Sequence, residues 1–158
     1  VLILSNLEDR HALQTEVITH SPLRLWLPPR HHLLEHDSIS LADIAREPLI
    51  QLNADEMAQH TRRIWSRAGL TPAVTLRTAS VEAVRSLVAA GLGISIQPDM
   101  TYRPWSLEGD IIEARPVVDL SETLDVGMVW RRGTARPPLV DPFVTVAREQ
   151  PHGRRHSI

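Results

Sequence analysis

The sequence predicts an α/β fold built on parallel strands. Three observations carry this. Residues 49–98 alternate short apolar runs with amphipathic stretches in the order β-α-β-α-β. The apolar positions of both amphipathic stretches recur at helical spacing. Polar start signals, Asn53 or Asp55 for one and Ser80 for the other, and the stop signals Gly69 and Gly91 frame those stretches where helix ends need them. Such a unit closes with right-handed crossovers.

Taken in order, Val1–Leu4 is a short apolar run bounded by Ser5 and Asn6, and reads as a buried strand. Residues 7–16 are polar and read as a loop. Leu23–Leu27 reads as a second strand, stopped by Pro28 and Pro29. A His-rich connection follows over residues 30–39. Ser40 caps a short helix, with Asp43 completing a capping-box-like pattern, and Pro48 ends it.

Leu49–Leu52 is an apolar strand. Asn53 or Asp55 is expected to cap the next helix, whose Met57, Ile64, Trp65 and Ala68 share a face and whose end falls at Gly69. Val74–Arg77 is a strand. Ser80 caps a helix carrying Val81, Val84 and Val88, which Gly91 ends. Ile94–Ile96 is a strand closed by Pro98. Ile111–Ala114 and Val126–Trp130 read as further strands, and Asp141 with Pro142 opens a last helix. The tail 151–158 has no apolar pattern and reads as disordered.

Composition narrows the chemistry. The 158 residues are 42% hydrophobic and 23% charged, enough for a packed core. No cysteine is present, which excludes disulfides, thiolate metal ligands and a cysteine nucleophile. All 17 basic residues are arginine, so a Walker-A lysine, a Schiff base and a Ser–Lys dyad are excluded as well. The net charge of −2 gives no general attraction to nucleic acid. No apolar run reaches the roughly 20 residues of a membrane span, so no membrane partner is expected. A chain that starts at Val1, inside a strand, is read as lacking its natural N-terminal part.

Several motifs suggest catalysis, and each falls short. His32-Leu-Leu-Glu35-His36 fits the H-x-x-E-H zinc pattern, but no helical periodicity extends beyond it. It is read as a surface loop, with no metal site and no cofactor expected. Gly93-Ile-Ser95-Ile-Gln97 begins like a nucleophile elbow but lacks the last glycine and lies in a strand. Gly91 and Gly93 lead into a strand, whereas a dinucleotide fingerprint leads out of one. Asp119, Glu122 and Asp125 lack calcium-loop spacing. No catalytic residue is assigned.

Binding remains. In open parallel α/β sheets ligands sit beyond the carboxyl ends of the strands. Those ends carry Asn53, Thr78, Ser80 and Gln97 with Pro98, and two of them lead into helix N-termini, which favour an anion such as a carboxylate.

Residues 78–100, TASVEAVRSLVAAGLGISIQPDM, resemble the most recognisable segment of the effector-binding domain of LysR-type transcriptional regulators. LRLWLPPRHHLL resembles that family's crossing segment, with Leu33 where proline usually follows His32. ISLADIAREPLI and VLIL resemble two further segments, in the family's order. The resemblance implies a type 2 periplasmic-binding-protein-like fold, with two Rossmann-like lobes joined by crossing strands and the effector between them. Residues 28–125 would be lobe II, and 1–27 with 126–150 the remnant of an incomplete lobe I. Carried over position by position, the effector contacts would be Ser5, Asn53, Thr78, Ser80, Gln97 and Pro98. The resemblance further implies a cytoplasmic homo-oligomer, dimer or tetramer. DNA would be bound only through a winged helix-turn-helix upstream. The other reading of the same fold is an extracytoplasmic solute-binding protein.

Overall fold

The structure is a computed structural model that describes residues 2–5, 13–133 and 140–149. The disordered-tail expectation for 151–158 lies outside these residues. The chain divides into two compact units, residues 1–21 with 124–158 and residues 22–123. The first boundary falls inside a strand, between Ser21 and Pro22, where the resemblance implied one at 27/28.

In the first unit, β1 (Leu2–Ser5) pairs antiparallel with β7 (Thr123–Arg131), Leu2 opposite Val129 and Ser5 opposite Val126. β7 also neighbours β2 (Leu13–Leu27). Two side-chain links join that pair: His20 Nδ1 to Asp125 Oδ1 at 2.7 Å, and Trp130 Nε1 donating to Gln14 Oε1 at 3.2 Å. Leu124, Met128, Val129 and, from α4 (Val140–Glu149), Val144 are buried here. The loop expected over 7–16 needs correction: Leu13–Glu16 already belong to β2. The first half of β2 is polar and largely uncovered, so its strand character comes from pairing rather than from an apolar pattern.

The second unit holds the predicted α/β sequence. α1 (Leu41–Ile44) has the capping box, with Ser40 Oγ accepting the Asp43 amide and the Asp43 carboxylate accepting the Ser40 amide. β3 (Leu49–Leu52) pairs parallel with β4 (Val74–Thr78), and a parallel bridge from Leu49 to Ile94 sets β5 (Ser95–Pro98) on its other side. β5 pairs antiparallel with the second half of β2, which also pairs with β6 (Glu113–Arg115). The two helices are α2 (Asp55–Ala68) and α3 (Val81–Ala89). The core joins Leu23, Leu25 and Leu27 of β2 to Leu33, Ile44, Leu49, Trp65 and Ile96.

α2 corrects one expectation. Its N-cap is Ala54, with no side-chain cap, so neither Asn53 nor Asp55 caps it. The other end is as expected: Gly69 takes φ +66, and its amide reaches the Trp65 and Ser66 carbonyls. Gly93 is required for close approach, since a Cβ there would lie 2.5 Å from the Pro48 carbonyl oxygen.

Candidate functional site

The carboxyl ends of β3 and β4 meet the N-terminus of α3. The Asn53 amide donates to the Thr78 carbonyl at 2.7 Å, which locks the two strand ends together. Thr78 Oγ1 accepts the Ser80 amide at 3.2 Å, and Ser80 Oγ accepts the Ala83 amide at 3.2 Å. Asn53 and Ser80 are exposed and Thr78 is half-buried. Both hydroxyls spend a lone pair on the backbone and keep an O–H to donate. Together with the orphan amides and positive dipole end of α3, they make a donor-rich surface suited to an anion.

Three of the six sequence-derived positions are thus brought together. Gln97 and Pro98 are covered. Gln97 is 1% exposed, and its Nε2 donates to Ser95 Oγ at 2.8 Å, which donates in turn to the Ile50 carbonyl at 2.7 Å. The Gln97 carbonyl oxygen is buried without a hydrogen-bond partner. This network also ties up Ser95, the serine of the elbow-like sequence. Pro98 is buried and caps the short 3₁₀ turn Asp99–Thr101. Ser5 ends β1 in the first unit, and its side chain is outside the described residues.

The anchor of α3 is a residue that sequence reasoning missed. Arg85 is 2% exposed. It pairs with Glu82 (Nε to Oε2, 3.0 Å), donates to the Thr101 and Arg103 carbonyls at 2.9 and 3.1 Å, and lies 4.8 Å from the Trp26 ring centroid. That one guanidinium binds α3 to β2 and to the segment after β5. A buried arginine on an otherwise apolar helix face is the signal that could have revealed it. The acidic set does not converge: Asp119 accepts the Leu41 amide, Glu122 faces Arg67 and Asp125 faces His20.

A cavity of about 500 Å³ opens between α2 and β4, lined by Asn53, Arg62, Trp65 and Arg77 among others. It includes Asn53 but neither Thr78 nor Ser80. The strand ends are the better candidate, because there the hydroxyl donors and the helix terminus point to one ligand chemistry.

Residues 1–151 match the family model described as the LysR substrate binding domain. The chain is 25% identical over 144 residues to the uncharacterized HTH-type transcriptional regulator YnfL of Escherichia coli (strain K12), which covers 89% of this chain and 48% of that protein. HinK, a LysR family transcriptional regulator from Pseudomonas aeruginosa, superposes with a TM-score of 0.86 at 22% identity over 95% of this chain and 53% of its own. The BenM effector binding domain with its effector benzoate superposes with a TM-score of 0.77 at 18% identity, over 92% of this chain and 66% of that one. The fold is thus that of the effector-binding domains, periplasmic-binding-protein-like. The chain spans about half the length of YnfL.

Proposed function

Because the chain belongs to the LysR substrate-binding domain family, we propose that it is the effector-sensing part of a bacterial transcriptional regulator and that its effector is a small carboxylate. The observation that carries the ligand class is the pair of hydroxyls at Thr78 and Ser80 beside the free amides of the first turn of α3, where the one acidic side chain, Glu82, is paired with Arg85. The benzoate held by the BenM domain is a carboxylate and supports the same reading. The domain binds without turnover, works in the cytoplasm and assembles as a homo-oligomer. It meets DNA only through a helix-turn-helix in the rest of the full-length regulator. No helix among the described residues is long and apolar enough to cross a membrane. Gln97 and Pro98, both buried, are not part of the proposed contact set.

The test is calorimetric titration of the full-length regulator with a panel of small carboxylates, benzoate included, each paired with its neutral amide. A carboxylate is expected to bind and its amide to bind at least tenfold more weakly. Tighter binding of the amides would overturn the carboxylate assignment. A crystal structure placing the bound acid away from residues 78–83 would overturn the site.

A further inference from the structure

We propose that His31, His32 and Glu47 form a binding site for a divalent transition-metal ion of the zinc type. This site stands apart from the effector reading and does not depend on it. It also differs from the H-x-x-E-H reading of residues 32–36. That pattern needs an α-helix to put two histidines on one face, and His32–Glu35 is a single 3₁₀ turn. The structure recruits a different set.

One donor atom from each of His31, His32 and Glu47 falls within 4.8 Å of the other two. His32 Nε2 is 3.1 Å from Glu47 Oε1, and His31 Nε2 is 3.7 Å from Glu47 Oε2. Nitrogen and oxygen donors about 2.0–2.2 Å from a tetrahedral ion stand roughly 3.2–3.6 Å from one another. The two observed separations bracket that range. The imidazole rings stack at 4.5 Å between centroids, so they present neighbouring edges to the same carboxylate.

The scaffold holds this turn firmly. Leu33 is buried in the core beneath it. Arg115 donates from Nη1 to the Leu34 carbonyl at 3.1 Å and from Nη2 to the His36 carbonyl at 3.0 Å. The Pro28–His31 turn closes through the His31 amide on the Pro28 carbonyl, with Arg30 at φ +71, a backbone state that non-glycine residues adopt only under strain.

The donor set selects the ion. Two imidazoles and one carboxylate with water completing the shell suit zinc-like ions. Calcium and magnesium prefer shells made wholly of oxygen. The donors are not equivalent. The Leu33 amide donates to Nδ1 of His31 at 3.3 Å, so metal at His31 Nε2 must move the ring proton to Nδ1 and break that bond. His32 and Glu47 therefore anchor the ion, and His31 is the weaker third donor.

The test titrates the full chain with zinc alone, with magnesium and calcium as separate arms, by calorimetry and native mass spectrometry. The tail histidines His152 and His156 are changed to Ala in every arm, so zinc held there does not count. One zinc per chain is expected, with no magnesium or calcium bound. His32→Ala and Glu47→Gln should each weaken zinc at least tenfold, His31→Ala less, and Glu35→Gln or His36→Ala less than threefold. The His32 side chain is 59% exposed, so His32→Ala keeps the fold and the test remains decisive even where Glu47→Gln does not. Absence of stoichiometric zinc overturns the proposal. So does retention of zinc in His32→Ala, or a loss with His36→Ala equal to that with His32→Ala.

Discussion

Thr78 and Ser80 are linked in series: Thr78 Oγ1 accepts the Ser80 amide, and Ser80 Oγ accepts the amide of Ala83, three residues on in the first turn of α3. Each hydroxyl serves the backbone as acceptor and faces any ligand as donor. Ser80→Ala therefore removes a cap, worth about 1 kcal/mol of stability, together with a ligand donor. Ser80→Gly loses only a few tenths of a kcal/mol of capping but the same donor. A hydrogen bond to a charged group contributes about 1.5–3 kcal/mol, roughly a tenfold to hundredfold change in affinity. Titration of full-length Ser80→Gly and Thr78→Val with the carboxylate that binds should show losses of that size. Wild-type affinity in both variants would remove these residues from the site.

What the sequence could reveal depended on how local its cause was. α3 was readable because its serine cap, valine spacing and terminal glycine all lie within twelve residues. The serine cap at its start was readable for the same reason. The first half of β2 was hidden because Gln14, Thr15, Val17 and His20 are exposed in an uneven pattern, and only its partner strand makes it extended. The burial of Gln97 was hidden too, since a polar residue at a strand end suggests a ligand contact unless its partner Ser95 is known to lie beneath cover. His31 and Glu47 are sixteen positions apart, so no motif announces them. Arg85 as an anchor depends on Trp26, Thr101 and Arg103, which only the folded chain brings around it.

Gly93 should tolerate no side chain. Its missing Cβ leaves room for the Pro48 carbonyl, which accepts the Ile94 amide at 2.9 Å and so holds β5 beside β3. Alanine would place a carbon 2.5 Å from that oxygen, and the neighbour is backbone that cannot swing away. Gly93→Ala is expected to destabilise by about 1–3 kcal/mol, as overpacking does. Gly69→Ala, where no atom lies within 4 Å of the new Cβ, meets only conformational strain and should cost less. Urea unfolding of both variants checks the order; an equal or reversed effect would refute the close-approach argument.

Arg85 makes a graded prediction. Arg85→Met leaves the Thr101 and Arg103 carbonyls without their donor, at about 1 kcal/mol for each part-buried bond lost. Arg85→Lys keeps a charge, but one ammonium cannot serve two carbonyls and a carboxylate while stacking on Trp26. Glu82→Gln should be mildest, because the Glu82 side chain is 43% exposed and water replaces the lost pair. The expected order of destabilisation is Arg85→Met, then Arg85→Lys, then Glu82→Gln, read from denaturant midpoints. Glu82→Gln proving as severe as Arg85→Met would shift the anchoring role from the carbonyls to the ion pair.

The capping box of α1 should give acid sensitivity that two substitutions can isolate. Asp43 Oδ2 accepts the Ser40 hydroxyl at 2.7 Å and the Ser40 amide at 3.0 Å. These bonds, the hydroxyl's first, hold the Asp43 carboxyl below the usual carboxylate range against the opposing effect of burial. Folding therefore favours the ionised form. The resulting stability is fully present above the unfolded value of about 3.9 and is lost as pH falls through the lower folded value. Glu82 is also held low, chiefly by its hydrogen bond from Arg85, so acid unfolding of the wild type sums several groups. The difference between wild type and Asp43→Asn removes the shared part. Urea unfolding from pH 6 down to pH 2 should show the gap between the two proteins narrowing below about pH 4. In Ser40→Ala the Asp43 carboxyl should titrate higher, by carbonyl-carbon NMR, with a neutral-pH loss of about 1 kcal/mol. A gap that stays constant across the acid range, or an Asp43 titration unmoved by Ser40→Ala, would show that the box contributes through geometry alone and not through charge.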